Sequence, residues 1–378
     1  MENTKLQKET DYRFKLLYAI GIILVVNGHC SGGGVNILRD LFEPYSYHLV
    51  LFIFSSGYFY KCKNEKTPFK YCLKKIKTLL VPLYIWNFVY GLIVFLLSFK
   101  GFEIGNKVNL SSLFIEPITT GHQFMYNLGG WFVVPLFMIE VFNVFIRKLL
   151  FFVKENIKDF VIFAIFLILG TIGIRLSLKG LNTGWYLPVM RFIHLLPFYA
   201  LGTLYKTKLE KYDNLPNFIY FIIIITLQIF VICICREVPF YISCWCHFFN
   251  NAKIVFIEGF LGIFFWFRIC RILEPVLGKS KTLNSIADNT FSIMINHLMG
   301  FMIIKTIFAL CYKYLGFFSL FDYEAYKTEV YYIYKFANLH QTQIFYVIFA
   351  IWFSIMVQKL IDLIKSRAAN AFSRKKDS

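Results

Sequence analysis

The chain has 378 residues, of which 58% are hydrophobic, 20% aromatic and only 16% charged. A soluble domain carries roughly 25% charged residues, so the composition excludes that class and points to a helical protein solvated by lipid. The formal net charge of +18 raises nucleic acid as a partner, but the placement of the charges argues against it.

Along the chain, apolar segments lie near 16–32, 47–60, 79–98, 130–150, 158–176, 186–204, 217–235, 254–270, 290–312 and 343–364. Several fall short of the roughly 20 residues of a straight span. The second, broken by Ser55, Ser56 and Gly57, is the weakest. The stretch before Lys15 mixes charges and no small-residue cleavage site follows, so no removable signal is expected. Between the second and third segments Lys61, Lys63, Lys66, Lys70, Lys74, Lys75 and Lys77 face only Glu65. The preceding loop sets Arg39 against Asp40 and Glu43, and loop 99–129 is neutral. The tail from Lys365 adds Arg367, Arg374, Lys375 and Lys376 against Asp377. Because cytoplasmic loops concentrate Lys and Arg, the lysine loop and both termini are expected in the cytoplasm, with His29 toward the outer face. The expected fold is all-α: a polytopic membrane protein with about ten transmembrane helices, one domain over 1–378, no repeat and no appended soluble domain. The basic excess is then a topology signal. The run Phe264-Phe265-Trp266-Phe267 reads as lipid-facing or interfacial packing.

His29 ends the first apolar segment, after Asn27 and Gly28. An ionisable side chain there is costly unless it faces the protein interior or a wet cavity. A neutral imidazole is also suited to taking a proton from a hydroxyl. At 100° per residue, Tyr18 and Lys15 fall within about 40° of His29, on a stripe running about 16–21 Å along the helix axis. Such a stripe suits a donor entering from the cytoplasm while an acceptor waits outside; equally, Lys15 marks the cytoplasmic end and His29 caps the helix. Ser55, Ser56 and Gly57 either let a neighbouring helix approach closely or let a backbone group reach a cavity. The run from Phe69 to Trp86 is a basic, amphipathic lead-in to the third segment, with Pro82 in its first turns. Its lysines suit anionic lipid headgroups or the phosphates of a nucleotide-bearing donor.

Four stretches together resemble the acyltransferase 3 family of integral membrane proteins. They are Lys15 to His29, the Leu51–Phe59 stretch around Ser56-Gly57, the Lys74–Trp86 run with Pro82-Leu83-Tyr84, and Gly129-Gly130-Trp131-Phe132 leading to Leu136. Fainter similarity follows at Leu196-Pro197-Phe198 and at Thr290 to His297, so the resemblance covers about 11 to 300 in order. It implies transfer of an acyl group, typically acetyl from acetyl-CoA, to a hydroxyl of a surface polysaccharide or a lipid-linked glycan precursor, in the bacterial cytoplasmic membrane. On that reading His29 is the general base, and Ser56 or Tyr18 stabilises the oxyanion. Lys15, Lys74, Lys75, Lys77 and His297 hold the acyl-CoA donor, while Asn27, His122 and Trp131 meet the acceptor glycan. No bound cofactor or metal is expected; acyl-CoA is a co-substrate. One departure stands out: the family's first helix usually carries an arginine eleven residues before its histidine, where this chain has Tyr18. Lys15, one turn earlier on the same face, either takes over that cation's role or leaves donor affinity weakened, since Lys cannot replace Arg as a bidentate phosphate ligand.

Other readings compete. A glycan or lipid-intermediate flippase would show repeated halves or paired broken helices with intramembrane charge, which the chain does not clearly carry. A non-catalytic subunit of a polysaccharide assembly machine fits Tyr18. Cys233, Cys235, Cys244 and Cys246, with His247, flank an outward loop. Their Cys-x-Cys spacing is not that of a zinc knuckle, and free thiols or a disulfide in an oxidising compartment fit it better. His194 beside Arg191 reads as part of a polar packing network; His48, His247 and His340 carry no signal.

Overall fold

The computed structural model describes residues 10–30 and 33–374. The first nine residues and the end of the basic tail, 375–378, lie outside the described residues. Among the described residues seven helices are long and apolar enough to cross a membrane. They are α3 (Pro68–Ser98), α4 (Met125–Leu149), α5 (Glu155–Leu178), α6 (Tyr186–Tyr212), α7 (Asn217–Cys235), α10 (Thr290–Leu315) and α11, which reaches Asn370 from His340. Helices close every backbone hydrogen bond within the segment, the condition lipid imposes.

The three other apolar segments also form helices, but of a different kind. α1 (Tyr12–Gly28) has 17 residues and α2 (His48–Tyr58) has 11, so they rise only about 25 and 16 Å. α8 (Ala252–Leu277) has 26 residues but carries Lys253, Glu258, Arg268, Arg271 and Glu274. α1 and α2 are largely buried among the longer helices, and a helix surrounded by protein need not match the bilayer. Asp11 begins α1 by accepting the amide of Arg13, an N-cap that satisfies an otherwise orphan donor. A short helix α9 (Lys281–Asp288) lies between α8 and α10.

Two local features set the site's frame. Pro82 cannot donate to the helix and clashes with the carbonyl four residues back. The chain absorbs this as a π-helical turn over Ile76–Leu80, which rotates the lysines before it. α2 and α6 cross almost backbone to backbone: a Cβ on Gly57 would strike the Tyr199 carbonyl, and one on Gly202 would strike that of Phe54. Close packing therefore accounts for the glycine of the Ser-Ser-Gly sequence. The expectation that Phe264–Phe267 faces lipid is corrected: Phe265, Trp266 and Phe267 are buried, because the charged helix α8 turns its aromatic face inward against α2 and α7.

Long-range contacts sort the connections into two faces. On the lysine-rich face Arg13 meets Glu210, Lys158 meets Glu65 and Lys15 meets Asp288. On the other, Arg191 donates to the carbonyl of Thr120 and Asn182 to that of Trp245. There a two-stranded antiparallel hairpin pairs Tyr241 with Phe248 and Ile242 with His247.

Candidate active site

A cavity of about 300 Å³ runs through the bundle between the two faces. α1 lines it with Tyr18, Ile22, Val25 and His29, one face of a helix; α2 adds Leu49, Phe52 and Ser56. Trp131, Phe132 and Val133 close one flank, and Thr290, Phe291 and Met294 of α10 another. Leu79 and Thr290 mark the end toward the lysine-rich face; Ser243 and Cys244 of the hairpin mark the opposite end. The wall is mostly apolar with few polar groups, as small-molecule sites usually are.

His29 follows α1 directly, and its Nδ1 lies 2.7 Å from Nε2 of His297, with the rings stacked at 4.8 Å. Nδ1 of His297 lies 2.9 Å from the carbonyl oxygen of Ile293. These contacts assign the protons. A carbonyl only accepts, so Nδ1 of His297 donates to it and its Nε2, in the neutral ring, is an acceptor. His29 must then donate from Nδ1, which leaves the lone pair on its Nε2. His297 is fully buried and held by its own helix turn. His29 lies level with His297, about 10 Å along α10 from its start and about 27 Å from its end, because α1 is short and stops inside the bundle.

The remaining expected residues separate into groups. Tyr18 and Ser56 share the cavity with His29. The Tyr18 hydroxyl lies near Ser55, whose own proton goes to the Leu51 carbonyl at 2.7 Å. Ser56 has no hydrogen-bond partner among the described residues. Lys15 lies off the cavity, in an ion pair with Asp288. A second, basic cavity of about 690 Å³ holds Lys63, Lys70, Lys74 and Lys77 together with Thr78. Neighbouring residues of the same helix line the two, Thr78 this one and Leu79 the first. Lys75 points elsewhere, into an ion pair with Glu140, which also accepts from Tyr71 at 2.9 Å.

Among the expected acceptor contacts, Trp131 lines the cavity, with Arg191 over its ring at 4.7 Å. His122 stacks on Trp245 at 4.3 Å, and burial pushes its pKa down to about 4. Asn27 turns away, donating to the carbonyl of Val35 at 2.9 Å and accepting its amide at 3.0 Å, so it clamps the loop after α1. His297, expected near the donor, touches His29. Tyr45, His48 and Tyr331 also surround His29 and escaped the sequence reading. Their only signal was the polarity of residues flanking apolar segments.

The cysteines are all free thiols, and burial pushes that of Cys244 up to about 11. Among the described residues no group of three or more His, Cys, Asp or Glu is placed to hold a metal ion. His194 lies against the Met190 carbonyl and Cys246.

A family model described as an acyltransferase domain, that of the acyltransferase 3 family, matches residues 11–359. No match was found among the curated proteins or among the solved structures. The match takes in nearly all the chain, including both histidines and both cavities, and the protein therefore belongs to the acyltransferase 3 family and is a multi-pass membrane acyltransferase.

Proposed function

We propose that the protein transfers an acyl group, acetyl in the simplest case, from acyl-CoA to a hydroxyl of a surface glycan or its lipid-linked precursor. The lysine-rich face is then cytoplasmic, and the donor's phosphates bind Lys63, Lys70, Lys74 and Lys77 as charge-assisted hydrogen-bond partners. The thin thioester arm passes Thr78 and Leu79 into the apolar cavity. The acceptor enters from the hairpin end, past Trp131.

At the centre, Nε2 of His29 takes the acceptor hydroxyl proton as that oxygen attacks the thioester carbonyl carbon. Ser56, with its hydroxyl uncommitted, donates to the oxyanion. Collapse of the intermediate breaks the carbon–sulfur bond, and the proton on His29 passes to the departing thiolate. The products are the glycan ester and free CoA thiol. His297 takes no proton in this cycle; it holds His29 in the basic tautomer and its lone pair supports the imidazolium.

The observation that carries this reading is the oriented His29–His297 pair in a cavity flanked by a lysine-lined one, with Thr78 and Leu79 side by side on their walls. Its test is mass spectrometry of surface glycans from cells carrying wild type, His29→Ala or Ser56→Ala at matched membrane levels. Removing the base lowers the rate about 10²- to 10⁴-fold, and removing an oxyanion donor about 10²- to 10³-fold. The ester-linked acyl mass is expected to disappear with His29→Ala. An ester present at wild-type level in that variant would rule His29 out as the base.

A further inference from the structure

Lys305 stands in the interior of α10, fully buried. Among the described residues it makes no ion pair: its ammonium is held by two backbone carbonyls, Glu329 at 3.4 Å and Val330 at 3.1 Å. A cation buried in a membrane span is costly and marks function by default. The residue after those carbonyls is Tyr331, whose ring lies over His29 at 6.2 Å. Tyr331 also lies close to Tyr45 and Cys244, both of which line the cavity. It is 40% exposed, so one side of its ring faces outward and the other faces the base. The connection 316–339 that carries it is long, as functional loops often are. It is tied down elsewhere by Tyr326 to Thr306 at 2.9 Å and by the Lys327 carbonyl to the amide of Glu103 at 3.1 Å. Neither of those ties reaches the stretch above His29; Lys305 does.

We propose that Lys305 is a positioning residue: by gripping Glu329 and Val330 it holds Tyr331 across the outer mouth, where the ring keeps bulk water from His29 while the acceptor enters beside it. The catalytic consequence rests on the acyl-transfer reading; the capping geometry does not. Without the latch, water takes the acceptor's place. Its oxygen attacks the thioester carbonyl carbon, His29 takes its proton and passes it to the leaving thiolate, and the products are a carboxylic acid and free CoA thiol. Water exclusion of this kind separates transferases from hydrolases that use the same base.

The test uses the full chain in lipid nanodiscs, as wild type, Lys305→Met, Tyr331→Ala and Tyr331→Phe. Carbethoxylation by diethyl pyrocarbonate, followed by mass spectrometry, reports access to His29 without requiring any reaction. His122, stacked on Trp245 outside the cavity lining, is the internal control for general loosening. Modification of His29 is expected to accelerate about fivefold in Lys305→Met and Tyr331→Ala, with His122 unchanged and Tyr331→Phe close to wild type, the pattern of a local opening. An unchanged His29 rate in Tyr331→Ala, or His122 rising in step with His29 in Lys305→Met, would overturn the proposal. In parallel, the ratio of acyl-CoA hydrolysis to transfer is expected to rise about tenfold in Lys305→Met; an unchanged ratio with a faster His29 modification would refute water exclusion as the purpose of the cap. A wild type that consumes no acyl-CoA would count against the acyl-transfer reading, and the modification arm would still decide the cap.

Discussion

Replacing His297 separates a positioned base from a histidine that merely sits in a cavity. In His297→Leu the Nδ1 proton of His29 loses its acceptor in a buried setting, and the imidazolium that forms as the proton is taken loses a charge-assisted hydrogen bond. Such a bond contributes about 1.5–3 kcal/mol, which at 1.36 kcal/mol per decade is a fall of about 10- to 150-fold. The loss belongs to the transition state, so kcat and kcat/KM should drop together with KM for acyl-CoA unchanged. His297→Gln offers a carbonyl oxygen near the place of Nε2 and should recover part of the rate, whereas the shorter His297→Asn should not. The assay is thiol release from acyl-CoA by purified protein supplied with acceptor, with thermal unfolding as the check on folding. A His297→Leu variant with wild-type kcat, or one altered only in KM, would refute the tautomer argument.

The lysines divide by their partners. Lys74→Ala and Lys77→Ala should each raise KM for acyl-CoA, by about fivefold at low salt, and the effect should shrink as salt screens the phosphates. Lys75→Ala should instead lower thermal stability with KM unaltered, because it strands the carboxylate of Glu140 (7% exposed) at a cost of about 3 kcal/mol. Gly57→Ala and Gly202→Ala should each push α2 and α6 apart and destabilise by about 1–3 kcal/mol, read as a lowered unfolding temperature in detergent; unchanged melting would contradict the crossing. His122, with a folded pKa near 4 against about 6.5 unfolded, stays neutral on Trp245 until strongly acid pH. Acid therefore draws on the unfolded state first, and stability should fall between about pH 6.5 and 4. The difference in fluorescence between wild type and Trp245→Phe should titrate near 4; a midpoint near 6.5 would place His122 in solvent.

Much of the architecture was legible from local chemistry. Each apolar segment became a helix because lipid leaves the backbone no other way to satisfy itself, and the clustering of lysines before Pro82 anticipated a basic face. His29 stood out because an imidazole at the end of an apolar helix needs a reason to be there. Where reading along the chain failed, helical periodicity was being asked about depth and partners. It aligned Lys15 with His29, but Asp288 claims that lysine. It treated Lys74, Lys75 and Lys77 alike, but the π-turn over Ile76–Leu80 and a glutamate on α4 separate Lys75 from the others.

What the chain determined by itself is therefore the set of elements: the helices, the lysine-rich face and a histidine at the end of α1. Those follow from interactions within a few residues and from the solvent, both readable along one dimension. Only the tertiary structure decided what surrounds that histidine. His297, 268 positions away in sequence, sets the tautomer of His29, Tyr331 lies over its ring, and Lys305 holds the two carbonyls before Tyr331. Such pairings depend on which helix faces which. The packing of α1 and α2 inside the bundle settles that, and bilayer-facing hydropathy carries no record of it.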